Sequence, residues 1–355
     1  MDSPITERIL FMKKRWISLL LVFTMTIGLF TGCKRQDELI QKSNFYFDTI
    51  ITIILYDKKQ ETYINDCFQL ASHYEKLFSA TIPDSDVSLI NANAGNFVEV
   101  NEETIYLIEK ALEFGKLSDG AFTVTIGALS KLWNISELIK TMDNNRIADN
   151  SYIPSQEAIQ ERLSHVGDSL IEINGNQVRL TDPNASIDLG AIAKGYIADQ
   201  MKTYLVKQGV TSGIINLGGN VLTLSKKSNG SFYRIGIQKP FSNTGESVAI
   251  IDVADKSVVS SGNYERYFKV EDKIYHHILN PKTGYPVENE LSEVTIISDS
   301  SLDGDALSTT CFSLGLKDGM ELIESLDGIE AIFITNDYKL HYSSGIGTEI
   351  PLEKL

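Results

Sequence analysis

The chain has 355 residues, 43% of them hydrophobic and 22% charged, which excludes a disordered chain and leaves ample length to bury a core. Its formal net charge is −15. So acidic a surface argues against nucleic-acid binding, which needs clustered Lys and Arg, and any phosphate site must gather positive charge from a metal, a lysine or a helix N-terminus.

The N-terminus reads as a secretory leader. Lys13, Lys14 and Arg15 form a basic cluster, an apolar run follows from Trp16 to Phe30, and Thr31-Gly32-Cys33 closes it. A cysteine directly after small residues resembles the bacterial lipobox, in which the Cys33 thiol is acylated and becomes the new N-terminus. Phe30 stands where that motif usually has Leu. The apolar run falls short of the ~20 residues that a spanning helix needs, which favours a lipoprotein over a membrane span. Asp2 and Glu7 are foreign to a basic leader, so Met12 is the expected start. The expected organisation is a leader and lipobox over 1–33, a polar tether over 34–44 and one folded domain over 45–355. This places the protein at the cell membrane, lipid-anchored on the extracytoplasmic face. Cys67 and Cys311, each in an apolar helical context, are expected as buried free thiols, since two cysteines make neither a disulfide framework nor a metal-ligand spacing.

Within the domain, Tyr46–Tyr56 reads as a strand and Thr62–Phe78 as a helix, from the spacing of Ile64, Cys67, Phe68, Ala71, Tyr74 and Leu77. A second helix is expected over Glu103–Leu117 and a strand over Phe122–Ile126. Residues 134–156 are polar and unpatterned, a surface excursion. Strand signals follow at Leu170–Ile173, Val178–Leu180 and Ile187–Leu189, then a helix over Ile192–Gln208 closed by Gly209. Further strands are expected at Ile214–Leu217, Val221–Leu224, Tyr233–Ile237, Val248–Val253, Tyr267–Val270 and Ile274–Leu279. The chain ends with a strand at Val294–Ile297, helices over Asp305–Leu314 and Met320–Ser325, and strands at Ile332–Ile334 and Leu340–Tyr342. With no repeat or internal linker, a single intertwined α+β domain of mixed sheets and helices is the simplest account.

Four segments carry chemistry-bearing residues. Asp188 through Tyr196 is a strand end, a glycine bend and a helix start with Lys194 in its first turn, where N–H groups, the helix dipole and an ammonium suit a phosphate. A plain strand-to-helix connection with a solvated lysine is the other reading. In Asp303 through Thr310, Asp305 and Thr309 share a helix face beside Ser308, and such oxygens suit a hard cation. Capping by Ser301 or Asp303 with Thr309 bonded back along the helix would explain the same residues. His276 and His277 end a strand before a turn at Pro281–Gly284. They face opposite sides and cannot share one small site: one is a candidate base or nucleotide contact, or else the pair is simply a surface and a satisfied core histidine. The last segment is Ser118–Thr125, with Asn216–Asn220 and Ser260–Tyr264 beside it. Each is a small-residue bend where backbone can approach a flat ligand, or simply a turn.

Together these segments resemble the ApbE family of FAD:protein FMN transferases, in an order running from Phe47-Asp48-Thr49 through Phe78–Thr81, Asp119–Phe122, Asp188–Gly195, Asn216–Asn220, Ser261–Tyr264 and His277-Ile278 to Asp305–Thr309. The resemblance implies an extracytoplasmic enzyme, often a lipoprotein, that takes FAD as substrate with Mg²⁺ on its pyrophosphate. It would transfer FMN to a threonine or serine hydroxyl of an acceptor protein at the membrane or cell surface, releasing AMP. It places Mg²⁺ on the backbone carbonyl of Ala191 and on Asp305 and Thr309, with Ser308 adjoining. FAD contacts fall on Phe47, Thr81, Ala121, Phe122, Thr123, Asp188, Lys194 and Ile278, while His277 and Lys194 assist catalysis. Two positions depart from the family: Phe47-Asp48-Thr49 replaces Met-Gly-Thr, and Thr123 stands where a carboxylate is usual after Ala-Phe. The rival readings are an Mg²⁺-dependent FAD pyrophosphatase and a flavin-binding lipoprotein without turnover.

Overall fold

The computed structural model describes residues 39–355 apart from 144, 243 and 244. The leader, Cys33 and residues 34–38 lie outside the described residues. An eight-stranded antiparallel sheet organises the domain, in the order Ile40–Tyr46, Thr49–Leu55, Gly213–Leu217, Asn220–Leu224, Ser257–Gly262, Leu291–Ser298, Glu330–Thr335 and Leu340–Tyr342. Three-stranded sheets stand beside it, so the α+β expectation holds.

Burial explains the register. Every residue of Leu291–Ser298 is buried, because the two faces of this central strand meet two different cores. Val294 and Ile296 face the larger core under the helices Glu61–Phe78, Ala193–Lys207 and Ser301–Leu314. Ile297, with Val258, Ile332 and Ile334 from neighbouring strands, packs under the hairpin Tyr233–Gln238 and Ser247–Val253. A third cluster gathers Leu129, Trp133, Ile159, Phe268 and Leu279, with the Trp133 indole donating to the Gly284 carbonyl at 2.8 Å.

The helices expected from periodicity are present at Glu61–Phe78, Glu102–Leu117, Ala193–Lys207, Ser301–Leu314 and Leu316–Glu324. Cys67 and Cys311 are buried free thiols. Several expectations need correction. Residues 40–44, read as tether, belong to the strand Ile40–Tyr46, whose polar Gln41, Lys42, Ser43 and Asn44 suit an exposed edge. Phe122–Ile126 and Ile187–Leu189 form no ladder. They run side by side through one bond from the Asp188 amide to the Val124 carbonyl at 2.8 Å and a bridge between Ile126 and Ser186. Their β-branched residues satisfy burial rather than pairing. Ser257–Gly262, read in part as a bend, is an inner strand whose Ser260 and Ser261 are satisfied by neighbouring hydroxyls. The cap of the Ser301–Leu314 helix is Ser300, not Ser301 or Asp303.

Candidate active site

Two helices meet at their N-termini, and a glycine allows it. A Cβ on Gly195 would lie 2.1 Å from the Ser301 carbonyl oxygen, so only glycine permits the approach. Each helix then caps the other with a carboxylate. Asp199 accepts from the amides of Ser301 at 2.9 Å and Leu302 at 3.0 Å. Asp305 accepts from the Gly195 amide at 2.9 Å through Oδ2, and its Oδ1 lies 3.2 Å from Lys194 Nζ. These contacts satisfy orphan donors of both first turns and favour negative charge at each N-terminus. The helix tip is therefore not the open phosphate cradle expected from sequence. The amides of Ile192 and Ala193 also bond to the Leu189 carbonyl.

This arrangement frees particular oxygens. The amide that would close a turn on the Ala191 carbonyl goes to Asp305 instead, and no hydrogen bond reaches that carbonyl among the described residues. Lys194 Nζ also donates to the Gly190 carbonyl at 2.9 Å, which fixes the ammonium over the bend. On the next turn of the second helix, the Thr309 hydroxyl has Ser261 Oγ, at 3.2 Å, as its hydrogen-bond partner and does not bond back along the helix. Ser308 is engaged: its hydroxyl donates to the Asp305 carbonyl at 2.9 Å and meets Ser261 Oγ at 2.8 Å. A carbonyl, a carboxylate and a hydroxyl form a hard-oxygen donor set that fits Mg²⁺ and its preference for few protein ligands. No group of three or more His, Cys, Asp or Glu that could hold a metal exists among the described residues. A site here rests on mixed oxygen donors with one carboxylate.

The strand Ser257–Gly262 delivers a further carboxylate. Gly262 leaves room for the Tyr264 ring, which would lie 2.5 Å from a Cβ there. The Tyr264 hydroxyl donates to Glu293 at 2.6 Å, and Thr295 donates to the same buried carboxylate at 2.8 Å. Burial raises the Glu293 carboxyl above the ordinary range, and these donors work against that rise. With Tyr264 so anchored, Glu265 keeps contact with solvent while protein crowds its other sides. Desolvation pushes its carboxyl up to about 7, against the opposing charges of Lys194 and Arg266. Sequence reasoning missed Glu265, although it directly follows the Ser260–Tyr264 segment.

The histidines separate as strand alternation requires. His276 is a core residue: its Nε2 faces the Val287 carbonyl at 2.8 Å, its Nδ1 accepts the Ile278 amide at 3.3 Å, and its ring meets Phe312 edge to face. Burial lowers it to about 4. His277 is the unexplained one. Its Nδ1 is buried without a partner among the described residues, and desolvation, with the charges of Arg266 and Lys194 also acting on it, holds the ring well below the ordinary imidazole range. A neutral imidazole is able to accept a proton.

The other expected contacts occupy turns around these elements. Phe47 and Asp48 both have positive φ, closing the hairpin between Ile40–Tyr46 and Thr49–Leu55, and the Phe47 amide donates to Glu75 at 2.6 Å. That turn packs beside the Gly218-Gly219 turn, where the Gly218 amide bonds the Ile50 carbonyl at 3.1 Å. Thr81 is exposed and bonded to Ser79 at 3.1 Å. Ala121 is half-buried, Phe122 and Thr123 are buried, and Asp188 holds the Gly190 amide at 2.8 Å. Ile278 is buried. Hydrogen bonds join Lys194, Asp305, Ser308, Thr309 and Ser261 into one cluster, and Lys194 acts electrostatically on His277 and Glu265. No hydrogen bond among the described residues ties Phe47 or Thr81 to that cluster.

A domain of mixed antiparallel sheets around such a cluster defines a class, and the comparisons place it. The chain belongs to the ApbE family, whose model matches residues 47–333. A relative from Klebsiella pneumoniae (strain 342), named FAD:protein FMN transferase, is 38% identical over 278 residues, which are 78% of this chain and 83% of the relative. One of the same name from Treponema pallidum (strain Nichols) is 30% identical over 350 residues, 93% of each chain. The solved structure of the ApbE protein from Thermotoga maritima superposes with a TM-score of 0.76 at 30% identity, covering 86% of this chain and 97% of that one.

Proposed function

We propose that this chain transfers FMN from FAD to a hydroxyl of an acceptor protein, releasing AMP. The observation that carries the reading is the joining of Lys194, Asp305, Thr309 and Ser261 by two mutually capped helices and one inner strand. In the reaction, the acceptor oxygen forms a bond to the phosphorus of the FMN half, and the bond from that phosphorus to the AMP oxygen breaks. The hydroxyl proton passes to a base, and AMP leaves as the phosphate. Lys194, fixed by the Gly190 carbonyl and Asp305, is placed to bind a phosphate oxygen and stabilise charge that grows there. His277, held neutral, and Glu265 are candidates to take the proton.

The Ala191 carbonyl, Asp305 and Thr309 would hold Mg²⁺, with Ser308 bracing Ser261 beside them. Such an ion supplies Lewis-acid polarisation of a phosphoryl oxygen. The basic cluster, apolar run and Cys33 support a lipid-anchored location on the extracytoplasmic face, near acceptor proteins of the membrane. Radiolabelled palmitate incorporated by the wild type and lost in Cys33→Ser tests that anchor.

The deciding experiment incubates purified protein with FAD, Mg²⁺ and a threonine-bearing acceptor. AMP release with flavin fluorescence that survives denaturation on the acceptor is the expected result. AMP release without covalent flavin replaces the reading with an FAD pyrophosphatase. Bound FAD with no AMP, acceptor present, replaces it with a binding protein.

A further inference from the structure

Asp168 is a carboxylate without a counter-charge. It is half-buried, forms no ion pair among the described residues, and has one side-chain hydrogen bond, from Thr123 Oγ1 to its Oδ1 at 2.5 Å. Burial raises its carboxyl above the ordinary aspartate range, and only the Thr123 hydroxyl works against that rise.

Its surroundings are nonetheless arranged for it. The Gly167 amide donates to Thr125 Oγ1 at 2.8 Å, the Thr125 hydroxyl lies 2.8 Å from Thr123 Oγ1, and Thr123 donates to Asp168. This orients a chain of hydroxyls toward the carboxylate. On the other side, Gly115 lies in the last turn of the helix Glu102–Leu117. A Cβ there would lie 1.9 Å from Asp168 Oδ2 and 3.3 Å from the Phe122 carbonyl oxygen, so the glycine makes the room that Oδ2 occupies. Oδ2 itself has no hydrogen bond among the described residues. A half-buried carboxylate with one oxygen bonded and the other without a partner keeps the capacity to accept a donor from outside the chain.

The neighbouring segment identifies the donor. Thr123 continues Ala121 and Phe122, the stretch expected to lie against FAD, and it stands at the position where the sequence lacks an anticipated carboxylate. We propose that Asp168 is a substrate-binding residue whose Oδ2 accepts a hydrogen bond from an N–H or O–H of FAD, so that the carboxylate missing at 123 is supplied from the loop before Ile171–Asn174. The proposal rests on the flavin-transferase reading of this chain.

The test compares wild type, Asp168→Ala, Asp168→Asn and the double variant Thr123→Asp/Asp168→Ala. FAD binding is followed by flavin fluorescence, turnover by AMP release and folding by thermal denaturation. Losing a hydrogen bond to a charged acceptor raises KM for FAD about ten- to a hundredfold in Asp168→Ala, with kcat within about twofold. The double variant recovers most of that affinity, which a purely structural role would not allow. Competition by FMN and by AMP assigns the donor: the competitor whose affinity falls in Asp168→Ala carries it. Asp168→Asn preserves shape and gives the reading if the alanine variant does not fold. Unchanged FAD affinity in a folded Asp168 variant overturns the proposal, as does a double variant that binds no better than Asp168→Ala. Wild-type protein that binds no FAD overturns the underlying flavin-transferase reading instead.

Discussion

Gly195→Ala is the sharpest test of how the fold builds the site. The added Cβ would meet the Ser301 carbonyl oxygen at 2.1 Å, its carbon at 2.6 Å and Leu302 Cα at 2.7 Å. All three are backbone atoms, so no side chain can rotate away. The helices must part by roughly 0.9 Å before even a 3.0 Å contact is reached, and a close-packed interior transmits that displacement. Overpacking of this kind costs about 1–3 kcal/mol, against at most ~1 kcal/mol regained from alanine's better helix propensity. The expected fall in Tm is a few degrees, at about 2–4 °C per kcal/mol for a domain of this size class. The catalytic effect is larger. The Gly195 amide sits 2.9 Å from Asp305, and misplacing a reacting group by ~1 Å costs about a hundredfold in rate. Circular dichroism melting and AMP release at saturating FAD and Mg²⁺ read the two effects. A Gly195→Ala protein with wild-type Tm and wild-type rate would refute the claim that this contact sets the site.

Asp305→Asn keeps shape and removes charge, and it should lower the rate of AMP release at least a hundredfold and weaken the response to added Mg²⁺. Alanine is a poorer probe there, since it also uncaps Gly195 and leaves Lys194 without its partner. Burial pushes the Cys67 and Cys311 thiols up to about 12, so neither should react with a disulfide reagent at neutral pH until the domain unfolds. Two prompt equivalents in the folded protein would contradict their burial. Glu265 has a folded carboxyl raised to about 7 from an ordinary 4.5, so the folded state holds its proton more tightly than the unfolded. Its contribution is present in full below about pH 4.5 and is lost as pH rises toward 7. Denaturant titrations across that window should show a loss in metal-free wild type that Glu265→Gln lacks.

What the sequence made legible follows periodicity and chain order. The long helices and the hydrophobic strands announced themselves because each buries one face or two, and Asp305 with Thr309 sat correctly four residues apart on one of those helices. What it concealed was pairing between distant segments. Asp199 capping Ser301 spans 102 residues and Thr123 bonding Asp168 spans 45, and neither leaves a local trace. Ser260 and Ser261 looked like a bend because serine is a turn residue, and only neighbours on other elements make them acceptable in an inner strand. The helix tip at Ile192–Gly195 looked like a phosphate cradle because its donors look free in sequence, whereas Asp305 arrives from 110 residues away to take one.

That last difference changes how an acidic molecule is to hold a diphosphate. Lys194 is paired with Asp305, and the Gly195 amide is turned to the same carboxylate, so together they present little net positive charge. Arg266 stands near Glu265 and His277, where Glu265 opposes it once ionised. The chain's formal net charge is −15, so on the proposed reading these groups do not neutralise a dianionic pyrophosphate by themselves and an imported cation would meet the deficit. FAD affinity should therefore depend steeply on divalent metal: removing it with a chelator should weaken binding at least tenfold, and raising monovalent salt should not replace it, because screening lowers repulsion without supplying a directed charge. Calorimetric titration of FAD with and without Mg²⁺ measures this directly. Equal affinity in the two conditions would mean that Lys194 and the helix tip suffice, and the reciprocal capping would then have to be rearranged when the dinucleotide binds.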